Sequence, residues 1–209
     1  MSHPIRDAAP AMPEPGYPLK CKENKVMSAN DLLSRMLKYQ AWANSEVLEA
    51  MKGLDADRHA AERHATLRIM NHCLVVGKIF AAHLVGREHG FAADNTPDTP
   101  ELEVLHSDLA RVDAWFLEYV DAAAPSVLSE SVPFAFTDGD KGYMTREEML
   151  THVVIHGGYH RGETVAVLKR VALAVGPQFK LPRDTYAVHL HRAEPSRRAQ
   201  GLAIAAPSV

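Results

Sequence analysis

Four stretches of this chain space their apolar residues with the period of a helix, and little else in it could bury a comparable surface. The first follows Ser28, an N-cap residue with Asp31 three positions on, a carboxylate variant of the capping box. Leu33, Leu37, Val47, Leu48 and Met51 belong to its apolar face, which ends near Gly53. The second runs from Ala65 to Val85, and Gly86 suits its end. The third starts after the turn residues Asn95 to Pro100 and is closed by Pro125. The fourth is announced by the capping box of Thr145 and Glu148 and continues to Val175. Together they predict an all-α fold, an α-helical bundle in one domain over residues 27–192. The link of about a dozen residues between the second and third helices is long enough for a crossover.

The remaining segments read differently. Val132, Phe134 and Phe136 alternate with Pro133, Ala135 and Thr137, and Asp138-Gly139-Asp140-Lys141-Gly142 supplies turn residues. This predicts a small hairpin before the fourth helix, with Pro133 at an edge. Pro182 starts an expected short helix holding Asp184, Tyr186, Val188 and Leu190. Residues 1–26, with five prolines and little apolar periodicity, are expected to be a flexible arm, and 193–209 a loose tail.

Bulk properties exclude several functions. A formal charge of −3 with no basic block gives no electrostatic case for nucleic acid. No apolar run is long enough for a bilayer, and no signal-peptide pattern opens the chain, so a soluble cytoplasmic protein is expected. Cys21 and Cys73 are too few for a disulfide scaffold and fit free thiols.

The fourth helix carries the chemistry. His152, His156 and His160 recur every four residues, about 6 Å apart along a helix and rotated by roughly 40°, so they share a face. Adjacent members can grip one ion; the outer two, about 12 Å apart, cannot share it. A third ligand must therefore come from elsewhere. His72 and His83 lie on one face of the second helix. His72 is amid Ile69, Met70, Val75 and Val76, where an uncompensated imidazole would be costly, and is preferred over His83 near the helix end.

Tyr39-Gln40-Ala41-Trp42-Ala43-Asn44, Met70-Asn71-His72 and, most specifically, the run from His152 to Glu163 resemble the DinB/YfiT-like family of metal-dependent proteins. The resemblance covers residues 28–192. It implies a four-helix bundle with a crossover between helices two and three, one divalent metal on His72, His156 and His160, and a homodimer. It also implies chemistry such as thiol-dependent S-transfer, with a low-molecular-weight thiol among the small-molecule substrates. The family has glutamine where this chain has Glu163, which is open to four roles: fourth ligand, carboxylate orienting a histidine, catalytic base, or an Arg-paired structural group.

Three neutral imidazoles leave an open coordination position, the pattern of a catalytic site, and accept zinc, nickel, iron or manganese. Thiol transfer is the leading reading, metal-assisted hydrolysis follows, and a non-catalytic metal-binding bundle stays open. Arg161 is expected in an ion pair, with Asp184 one candidate partner, and Cys73 as a buried inert thiol. Gly157, Gly158 and Gly162 cost helix stability, which close approach of a neighbouring helix or room for a ligand beside the metal would explain.

Overall fold

The computed structural model describes residues 27–205, with side chains to residue 200, as seven helices and one two-stranded sheet. The arm expected at 1–26 lies outside the described residues, as do 206–209. Four helices are long: α1 (Ala29–Met51), α2 (Ala60–Leu84), α3 (Leu102–Ala122) and α5 (Arg146–Val175). The single turn α4 (Pro125–Leu128) and strands β1 (Ser131–Ala135) and β2 (Lys141–Thr145) lie between α3 and α5. Helices α6 (Tyr186–Ala193) and α7 (Ser196–Ala205) follow. No helix among the described residues is long and apolar enough to cross a membrane.

The predicted caps start their helices. Asp31 N–H donates to Ser28 Oγ at 3.1 Å while Ser28 N–H donates to the Asp31 carboxylate at 3.2 Å. Thr145 and Glu148 repeat the exchange at 3.2 and 2.7 Å. Helix α2 begins at Ala60, earlier than the expected Ala65, because Ala60, Ala61 and Glu62 are strong helix formers without an apolar stripe to reveal them. It ends in a Schellman motif: Gly86, at φ +66°, donates to the His83 carbonyl and Arg87 to that of Ala82. Helix α7 occupies the stretch expected as a loose tail, where alanine and leucine favour helix locally. Asp184 lies just outside α6, which starts at Tyr186 with Thr185 as its N-cap.

Helix directions follow from which residues meet. Asn30 of α1 donates to the Val120 and Ala123 carbonyls at the far end of α3, so these two run antiparallel. Lys78 pairs with Asp108, and the Tyr119 hydroxyl donates to the Leu84 carbonyl, so α2 and α3 run in the same direction. The connection 85–101 therefore has to return along the length of α2. Helix α5 packs on both α1 and α2, antiparallel to α2.

Two apolar clusters fill the interior. One includes Leu37, Phe80, Phe116 and Leu150; the other includes Leu48, Met70, Leu105 and Leu168. Between them Gln40, Asn44, Asp113 and Arg161 form a buried polar layer. The hairpin pairs antiparallel with Phe134 opposite Gly142, where any side chain would overlap the Phe134 ring. Its last residue, Thr145, is the N-cap of α5, so the hairpin is joined to that helix without a linker.

Candidate metal centre

His72 lies mid-way along α2 and meets α5 at His156 and His160 because the two helices pack antiparallel. Its ring centroid is 4.8 Å from that of His156 and 4.6 Å from that of His160, and the latter two are 4.4 Å apart across one helical turn. One nitrogen from each ring lies within 4.8 Å of the others, a group that could hold a metal ion. His72 Nε2 and His156 Nε2 are 3.0 Å apart.

The outer nitrogens decide how these rings are oriented. His72 Nδ1 is 2.8 Å from the Asp94 carbonyl oxygen. A carbonyl only accepts, so Nδ1 holds the proton and Nε2 turns its lone pair toward His156. His160 Nδ1 is held in the same way by Glu163 Oε2 at 2.6 Å. Burial, then the neighbouring His160, His72 and His152 rings, push the His156 imidazole down to about 3. The ring is thus neutral at pH 7, the form that ligates metal. A neutral His156 between His72 and His160, whose outer nitrogens are engaged, fits a divalent cation.

The DinB family model matches residues 27–188. The chain belongs to the DinB family. It is similar to Protein DinB of Bacillus subtilis (strain 168), 24% identical over 163 residues that cover 71% of this chain and 91% of that protein. No solved structure matches it.

Within this DinB-family site, Asp94 is a contributor that sequence reasoning missed. The returning connection carries it to His72 and is pinned beside it: Asn71 Nδ2 donates to Thr96 Oγ1 at 2.6 Å, and Asn95 Nδ2 to the Arg68 carbonyl at 3.0 Å. The adjacency of Asn71 to His72 and the Asn95-Thr96 turn pair were visible, but not their meeting. Of the roles open to Glu163, the contact with His160 Nδ1 at 2.6 Å is the one an orienting carboxylate would make. Glu163→Ala is expected to weaken metal affinity by about 10- to 100-fold with little change in unfolding midpoint. A chelator competition titration checks this, and an unchanged affinity would place Glu163 among solvated surface carboxylates.

His152 stacks on Phe80 at 4.6 Å and on His156 at 5.3 Å, one turn away from the three-histidine group, and burial lowers its pKa. His83 sits further along α2, with His89 5.3 Å away. Cys73 is a free thiol pushed up to about 12 by burial, which leaves it protonated at neutral pH, as expected of an inert thiol; Cys21 lies outside the described residues.

Behind the histidines, Arg161 is fully buried. Its Nε donates to Asp184 at 2.8 Å and its Nη1 to Asn44 Oδ1 at 3.1 Å, while Asn44 and Gln40 donate to Asp113. Burial raises the pKa of Asp113, against the lowering effect of these amides and of Arg161. The glycine expectation holds at Gly157 alone, where a Cβ would lie 3.0 Å from Gln40 Oε1 of α1. Gly158 would meet Arg161 Nη2 at an ordinary 3.7 Å and Gly162 nothing within 4 Å, so helix approach does not explain those two.

On the other side a cavity of about 230 Å³ opens next to His72 and His156. The hairpin closes it, so that insertion forms a wall of the site.

Proposed function

We propose that this protein is a metal-dependent enzyme on a four-helix bundle, with the 85–101 connection as its crossover and a divalent cation held by His72, His156 and His160. The reaction class is thiol S-transfer: the sulphur of a low-molecular-weight thiol bonds to an electrophilic carbon, a leaving group departs and the S–H proton is lost to solvent. The observation that carries the reading is the tethering of two outer nitrogens, His72 Nδ1 and His160 Nδ1, by oxygen acceptors. That leaves inner lone pairs converging beside a cavity. When bound, the cation supplies Lewis acidity, which favours the deprotonated form of a thiol or water. Zinc, nickel, iron and manganese all suit imidazole ligands.

The chain's own residues set the conditions. Asp94 and Glu163 hold two rings in the ligating tautomer. Val76, Ile79 and Phe80 line the cavity with apolar surface, which limits competing water. Hydrolysis is the weaker reading because it would call on Glu163 as a base, and that carboxylate is engaged by His160. The same proposal makes the protein a cytoplasmic homodimer acting on small molecules rather than nucleic acid.

The test uses untagged protein loaded in turn with each of the four metals and offered low-molecular-weight thiols with aryl halide electrophiles, alongside simple esters. Metal-dependent thiol consumption that disappears in His156→Ala is expected. Ester turnover without thiol dependence would move the assignment to hydrolysis, and stoichiometric metal with no turnover of either kind would make the protein a metal binder.

A further inference from the structure

The cavity beside the histidines has a shape and a charge that the three-histidine group does not require. Its metal end is formed by His72 and His156 and its floor by Val76, Ile79 and Phe80 of α2. The opposite wall is the hairpin, which contributes Phe134 and Phe136. Phe134 lies in β1 and Phe136 follows directly after its last residue. The Phe134 ring is 6.0 Å from Phe80 and 4.9 Å from Phe136, and Phe80 in turn stacks on His152. Phe136 is 51% exposed, so its ring stands at the mouth rather than in the core.

The charged residues lining the cavity are Asp94 and Asp138, both carboxylates; neither lysine nor arginine lines it. Arg87 lines the neighbouring hollow on the other side of His83 instead. The Asp94 carboxylate belongs to the metal end, 3.6 Å from His72 Nδ1, so a ligand carboxylate reaching outward would face Asp138 with no lysine or arginine to meet it, whereas an amine would be favoured. The volume, about 230 Å³, is below the roughly 300–1,000 Å³ usual for drug-sized ligands. One ring with a short substituent fits.

We propose that this cavity is the subsite for an aromatic substrate group, one end of which reaches the metal and the other end of which is uncharged or cationic. The proposal rests on the reading that the three histidines hold a divalent cation. It assigns the hairpin a role in specificity: Phe134 and Phe136 grip the ring and Asp138 rejects anionic substituents.

Hydroxamates, which bind zinc through a common head, separate the terms. The full chain is first loaded with zinc and its stoichiometry measured, then titrated calorimetrically with acetohydroxamate, benzohydroxamate and the para-carboxy and para-aminomethyl forms of the latter. Benzohydroxamate is expected to bind about tenfold tighter than acetohydroxamate or better, through burial of the ring. The para-carboxy form should bind about tenfold more weakly than the para-aminomethyl form. Phe136→Ala should remove most of the ring's advantage while leaving acetohydroxamate unchanged, which also shows that the variant is folded. Asp138→Asn should narrow the gap between the two para-substituted probes. Equal affinities for acetohydroxamate and benzohydroxamate, or a preference for the carboxylate, on protein carrying one zinc per chain would overturn the subsite and leave the metal centre standing. Failure to bind zinc would overturn the metal centre and the subsite together.

Discussion

Replacement of His72 by alanine is expected to strip the divalent ion from the protein while leaving its helices in place. His72 is the one member of the three-histidine group contributed by α2; the other two come from successive turns of α5. Four-ligand zinc sites are worth roughly 10–16 kcal/mol, so one ligand accounts for about 3 kcal/mol, or about two decades of affinity. Elemental analysis after gel filtration, with chelator competition for the residual affinity, reads this loss. His152→Ala is the matched comparison, since it removes an imidazole from the same face of α5 that supports His156 by stacking without joining the group. It should retain one metal per chain. Full metal content in His72→Ala, at parental affinity, would show that the ion, if any, is held elsewhere.

The second large effect concerns stability. Asp184→Asn is expected to cost about 3–5 kcal/mol in urea unfolding, because it leaves a fully buried guanidinium without its counter-charge. The introduced amide offers one acceptor oxygen where the carboxylate offered two, so Arg161 Nε and the Tyr39 hydroxyl compete for it, while Asn44 Oδ1 and the Tyr39 ring, 5.5 Å from the guanidinium carbon, remain. The Tyr39 hydroxyl donates to the same Asp184 carboxylate, so that contact weakens too. Asp184 precedes α6, and its pairing with Arg161 joins the Arg192–Glu46 ion pair and the packing of Tyr186 and His189 on Tyr39 and Trp42 in fastening the C-terminal segment to the long helices. The double variant Arg161→Met, Asp184→Leu should recover much of the loss, since an apolar pair of similar volume avoids burying charge. A cost below about 1 kcal/mol for Asp184→Asn would mean that water screens the pair as it does a surface one.

Much of the helical framework was legible because its determinants are local. Ser28 with Asp31 and Thr145 with Glu148 state where α1 and α5 begin, through hydrogen bonds that span three residues. Gly86 marks the end of α2 for an equally local reason, its positive φ. The start of α2 and the existence of α7 were harder to read: helix-forming residues that carry no apolar stripe look like loop to a periodicity argument. The site divided in the same way. The pairing of His156 with His160 follows from helical geometry, and the partial burial of His72 from its apolar neighbours. Glu163 was identified as a residue of consequence, but its role depended on the direction in which one carboxylate swings.

The sequence by itself determined that four long helices form, how α1 and α5 are capped, and that α5 presents histidines one turn apart, since each of these depends on residues close together in the chain. Only the tertiary structure decided that the 85–101 connection returns along α2 to set the Asp94 carbonyl on His72, that Arg161 finds Asp184, and that the hairpin walls a cavity beside the histidines. Those contacts join separate elements of the chain, as the antiparallel packing of α2 and α5 joins His72 to His156 and His160, and no local preference specifies them.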